Sequence, residues 1–156
     1  VITDHDMNVL SPAVTLFEHK LGKKVVVMNY ALPAANPTRR HLICYQKQTQ
    51  LQNLFRSLDP MSVPVTVTDP SCFMVQYFDN NEHAFVSFIN PSYDVAEEIT
   101  VTFADPELDV ANGVYIREDG EIRPLSEIAE QVDKNQWKFR RFIPIFRIFA
   151  IQIPKK

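Results

Sequence analysis

The stretch from Lys20 to Ala31, Lys-Leu-Gly-Lys-Lys-Val-Val-Val-Met-Asn-Tyr-Ala, constrains the fold most, because Val25 to Met28 are apolar at successive positions. Side chains of a strand alternate between its faces, so this run asks for apolar surroundings on both sides, as in a covered parallel sheet. Such a sheet needs repeated strand–helix units. The chain offers one long helical segment before its periodicity turns to that of antiparallel β-structure. It also opens at Val1, inside sequence that already reads as folded. The expectation is the tail of a larger protein: a partial α/β segment over residues 1–63, then a β-domain over residues 64–156. The expected fold class is α+β, one buried strand and one long helix ahead of an antiparallel, immunoglobulin-like β-sandwich.

Within the first segment, Ser11-Pro12 opens either a helix or a strand, and Gly22 breaks the chain before the apolar run. Prolines 33 and 37 mark a loop. No Gly or Pro interrupts residues 39–59, where Leu51, Leu54, Phe55 and Leu58 fall at i, i+3, i+4 and i+7, an amphipathic helix stripe. After Pro64 the period changes to two. Val65-Thr66-Val67-Thr68 alternates, and Ile99-Thr100-Val101-Thr102-Phe103 alternates most cleanly. Asp79-Asn80-Asn81-Glu82 and Asp119-Gly120 read as hairpin turns between apolar runs. Trp137 to Phe142 and Pro144 to Ile153 complete seven or eight expected short strands.

Composition narrows the function. The chain is 46% hydrophobic and 22% charged, ordinary for a globular protein. Its net charge of −3 argues against nucleic acid as a partner. Lys138, Arg140, Arg141 and Arg147 alternate with aromatic residues in the manner of solvent-facing strand positions. The three glycines, Gly22, Gly113 and Gly120, are too few and too scattered for a phosphate-cradling loop. No apolar run approaches the roughly 20 residues of a membrane-spanning helix, so no membrane partner is expected. Cys44 and Cys72 have no metal-type spacing and read as two buried free thiols in preference to a disulfide, the alternative that an isolated pair leaves open.

Glycoside hydrolysis needs two carboxylates across a cleft. Asp69, Asp79, Glu82, Asp94, Glu97, Glu98, Asp105 and Glu107 fall mostly in turns or at strand ends, where acids sit in water. His5, His19, His41 and His83 are scattered, and Asp4-His5-Asp6 alone does not supply ligands from several anchored elements. No catalytic residue, metal site or cofactor is expected. Two regions are candidates for binding, each against a plainer structural role. The loop after the apolar strand offers Asn29, Tyr30 and Arg39 to a ligand crevice beyond the strand's carboxyl end. A carbohydrate-binding surface would draw on Trp137, Tyr77 and Tyr115, with Tyr93 a further aromatic, while a lone tryptophan of a small β-domain more often plugs the sandwich core.

The order of motifs carries a resemblance. A Gly-Lys-Lys-Val-Val-Val-Met-Asn-Tyr strand precedes a long helix ending Leu-Phe-Arg-Ser-Leu. Val-Pro-Val-Thr-Val, Ala-Phe-Val-Ser-Phe-Ile-Asn-Pro-Ser and a final Ile-Pro-Ile-Phe-Arg-Ile-Phe-Ala-Ile-Gln-Ile follow. Over residues 13–153 this resembles the C-terminal region of multidomain bacterial glycoside hydrolases of the β-galactosidase kind. There an amidotransferase-like α/β domain, itself without that catalysis, precedes a terminal β-sandwich. The resemblance implies a non-catalytic accessory region whose partners are upstream domains of the same polypeptide, a second copy of the chain, or carbohydrate. It also implies a periplasmic or extracellular setting. No catalytic residue carries over, because in that family acid and nucleophile belong to an upstream barrel. The chain departs from the family by lacking the first strands of the α/β domain.

Overall fold

A computed structural model describes residues 2–28, 45–69, 73–91 and 93–156. Asn29, Tyr30, Arg39, Cys44 and Cys72 lie outside them, and with them the proposed crevice and the cysteine pair. The chain forms two compact units, Val1–Ser62 and Val63–Lys156.

In the first unit, β1 (Ile2–Thr3) pairs with β2 (Val9–Ser11), and β3 (Val14–Glu18) with β4 (Lys24–Met28), both antiparallel. Asp4 closes the first turn. Its Oδ1 accepts the Asp6 and Asn8 amides at 3.0 and 2.9 Å, and its Oδ2 accepts the Asn8 side chain at 3.0 Å. Gly22, at φ 78°, closes the second, where the His19 amide donates to the Lys23 carbonyl at 2.7 Å.

The buried parallel strand expected over Val25 to Met28 is therefore corrected to one arm of an antiparallel hairpin. Val25 is 51% and Val27 48% exposed. A short turn delivers the partner strand directly, so no crossover helix is needed. Successive valines here follow β-propensity and not burial on two faces. The Ser11-Pro12 alternative resolves to strand. The helix, α1, spans Tyr45–Leu58. Along it Leu51, Leu54 and Leu58 are half-buried, Gln50 and Asn53 exposed, and Phe55 also exposed. The Lys24 ammonium donates to the Ser57 carbonyl at 3.2 Å, tying β4 to the end of α1.

The second unit is β-sandwich-like. Its strands are β5 (Val65–Asp69), β6 (Met74–Asp79), β7 (His83–Ile89), β8 (Ile99–Phe103) and β9 (Val114–Ile116). They continue with β10 (Ile122–Pro124), β11 (Ala129–Asp133), β12 (Gln136–Phe139) and β13 (Ile148–Pro154). One antiparallel sheet runs β10-β9-β13-β7-β6 and the other β11-β12-β8-β5. Hairpins β6–β7, β9–β10 and β11–β12 stay within a sheet, while the other connections change sheets.

The two-residue period builds the core. Ala84, Val86 and Phe88 of β7, Phe149, Ile151 and Ile153 of β13, and Ile99, Val101 and Phe103 of β8 are all buried. Phe88, Phe139 and Phe149 pack ring to ring with centroids 5.7–6.4 Å apart. Burying each such side chain stabilises the fold by about 1.5–3 kcal/mol, with roughly 0.5–1.5 kcal/mol more for aromatic pairing.

At one open end, Asn90 is 1% exposed and donates through Nδ2 to the carbonyls of Asp94 at 2.8 Å and Ile143 at 3.2 Å. This binds the loops after β7 and before β13. The two strands expected over Trp137 to Phe142 and Pro144 to Ile153 are thereby shortened to Gln136–Phe139 and Ile148–Pro154, with loop between them.

Candidate functional site

The opposite end of the sandwich holds a cleft of about 340 Å³. The β11–β12 hairpin supplies one side, with Gln131, Lys134, Asn135 and Trp137. The chain after β8 supplies the other, with Asp105, Leu108, Asp109 and Val110, and Lys156 closes the rim. Trp137 pairs with Val101 and Gln131 and packs partly against the core, leaving it half-buried in the cleft wall.

Several polar groups of this cleft are already engaged. The Asp105 carboxylate accepts the Glu107 amide at 2.9 Å and lies 3.9 Å from the Lys155 ammonium. Asp109 Oδ2 accepts the Asn112 side-chain amide at 2.7 Å. Gln131 Nε2 donates to the carbonyls of Asp133 and Lys134, both at 3.2 Å. Among the described residues, Lys134 and Lys156 make no ion pair, and the Asn135 side chain and Asp109 Oδ1 make no hydrogen bond.

A charged chain of contacts runs beside the cleft. Lys155 lies 2.7 Å from Asp79, and the Tyr77 hydroxyl donates to the same carboxylate at 3.3 Å. The hydrogen bond to Asp79 raises the Lys155 pKa above its ordinary value. Burial first, and the Asp79 charge second, push the Tyr77 phenol up to about 12.

The expected aromatics separate. Trp137 lines the cleft, whereas Tyr77 and Tyr115 do not. Tyr115 is 5% exposed, its hydroxyl donates to Glu127 at 3.2 Å and the Arg141 guanidinium lies 5.7 Å from its ring centroid, so it offers no exposed platform. Tyr93 is 89% exposed, on the loop at the Asn90 end. Lys134, Asn135 and Asp109 escape a reading of the sequence. The one local signal is the Asp-Lys-Asn turn just ahead of Trp137.

The outer face of the five-stranded sheet is a second feature. Strand pairing aligns Met74, Ile89 and Ile148 in one row. Phe78, Phe85, Gln152 and Val114 form another, and Ile122, Ile116, Ala150, Ser87 and Gln76 a third, in which the Ser87 hydroxyl donates to Gln76 Oε1 at 3.1 Å. Phe78 is 67%, Ile122 63% and Ile148 60% exposed, and among the described strand residues no Asp, Glu, Lys or Arg projects from this face. The four-stranded sheet contrasts with it. Its outward positions include Thr100, Thr102, Glu130 and Lys138, with Lys138 paired to Glu98 at 2.8 Å and Arg140 to Glu130 at 2.6 Å. The Lys138 hydrogen bond holds the Glu98 carboxyl below its ordinary value.

No family model, curated protein or solved structure matches the chain.

Proposed function

We propose that the chain is a non-catalytic accessory region of a larger carbohydrate-active enzyme. Its β-sandwich would dock on an apolar protein surface through the outer face of the five-stranded sheet. The observation that carries this reading is that face, with exposed Met74, Phe78, Ile116, Ile122 and Ile148 around the uncharged polar Gln76, Ser87 and Gln152, beside a charged opposite face. Contiguous exposed apolar area of this kind marks interaction sites. The face is on the order of 400 Å² in projection. The carbohydrate-active parent rests on the sequence resemblance, as does the immunoglobulin-like description of the sandwich, which the sheet-changing connections favour.

Without its docking surface, the face is expected to find a second copy of itself. Light scattering across a concentration series should show the mass of the chain rising above the monomer. The double variant Phe78→Lys, Ile122→Lys should remain monomeric with an unchanged melting temperature. A wild-type chain that stays monomeric from micromolar to millimolar concentration contradicts the proposal.

A further inference from the structure

We infer that the Trp137 cleft is a binding site for a neutral saccharide. Three observations converge on it. The cleft is within the size range of small-molecule sites, roughly 300–1,000 Å³, at about 340 Å³. Its wall carries an indole, a flat apolar surface suited to the C–H face of a pyranose ring.

Its rim carries polar groups that the protein itself leaves uncommitted: the Lys134 and Lys156 ammoniums, the Asn135 amide and Asp109 Oδ1. Sugar hydroxyls both donate and accept. A rim combining ammonium donors, an amide that does both and a carboxylate acceptor meets that requirement where an apolar ligand would leave it unmet. The formal charges of Asp105 and Asp109 balance those of Lys134 and Lys156, which favours a neutral ligand over an acidic sugar.

This inference does not depend on the docking reading, since the cleft and the apolar face are separate surfaces and their tests read different quantities. Trp137 is the only tryptophan of the chain, so its emission reports on this cleft alone. The experiment titrates the chain with neutral mono- and disaccharides of glucose, galactose, mannose, xylose and arabinose, and with a galacturonic acid disaccharide.

At least one neutral sugar should change the emission saturably. Asn135→Ala and Lys134→Ala, exposed turn substitutions that leave the backbone bond from the Phe103 amide to the Asn135 carbonyl in place, should weaken that response roughly tenfold. Their melting temperatures should match the wild type. No saturable change with any neutral sugar overturns the inference. So does a change that both variants retain in full, or a response confined to the acidic disaccharide.

Discussion

Gly113 and Gly120 matter for opposite reasons, and the difference is measurable. Gly120 has open space around it but a φ of +85°, in the β9–β10 turn. Gly113 has ordinary backbone geometry, at φ −69°, and no space. An added Cβ there would stand 3.1 Å from the Gln152 carbonyl oxygen, 3.1 Å from Leu125 Cδ2 and 3.2 Å from the Val110 carbonyl oxygen. Gly120→Ala should cost about 1 kcal/mol through left-handed strain. Gly113→Ala should cost about 1–3 kcal/mol through overpacking against backbone that cannot retreat. Asparagine tolerates the left-handed region, so Gly120→Asn should recover most of the loss while Gly113→Asn deepens it. Denaturant midpoints of the four variants check this, and equal effects of Asn at the two positions would contradict it.

Tyr77 makes a pH prediction at the same scale. Its phenol is pushed up to about 12 from an ordinary 10.0. Between those values the unfolded chain has lost this proton and the folded chain still holds it. The contribution to stability is therefore complete below pH 10 and lost as pH rises through about 12. In an alkaline titration followed by tyrosinate absorbance, a late step near 12 should appear, and Tyr77→Phe should remove it. A late step that persists in Tyr77→Phe, or is absent from the parent, would contradict the burial and Asp79 contact of Tyr77.

At the level of elements, the strands that alternate strictly were legible. Ile99 to Phe103 shows why: three buried positions separated by threonines leave one register. The hairpins around Asn80-Asn81 and Asp119-Gly120 were legible through turn chemistry. β4 was misread because four apolar residues in a row cannot by themselves distinguish double burial from high β-propensity in an exposed hairpin. β11 gave no sequence signal. Ala129-Glu130-Gln131-Val132-Asp133 is an edge strand, exposed along most of its length and held by pairing with β12, so little in its composition had to be apolar. The ends of the two expected strands, residues 140–142 and 144–147, read as β-structure, but the Asn90 side chain and backbone claim Ile143, Phe146 and Arg147 for loop pairing. The cleft was legible only at Trp137. Gln131, Lys134 and Asn135 belong to the same hairpin, but the facing wall from Asp105 to Val110 comes from the chain after β8, far from Trp137 in sequence, and is brought to it by the fold.

For the molecule as a whole, the assignment of faces in the five-stranded sheet decides the rest. Adjacent residues on β7 and β13 are assigned to opposite surroundings: Phe85 and Ile148 outward, Val86 and Phe149 in the core. The docking proposal depends on that alternation, because an apolar face that were really core would need no partner. The most direct measurement is a thermal-melting comparison of single lysine substitutions at these four positions. Phe85→Lys and Ile148→Lys should fold cooperatively within about 0.5 kcal/mol of the parent, as changes at exposed sites do. Val86→Lys and Phe149→Lys should lose the folded state, since each places an unpaired ammonium among apolar side chains. If the outward lysines unfold the chain as completely as the inward ones, the exposed apolar face does not exist and the account fails.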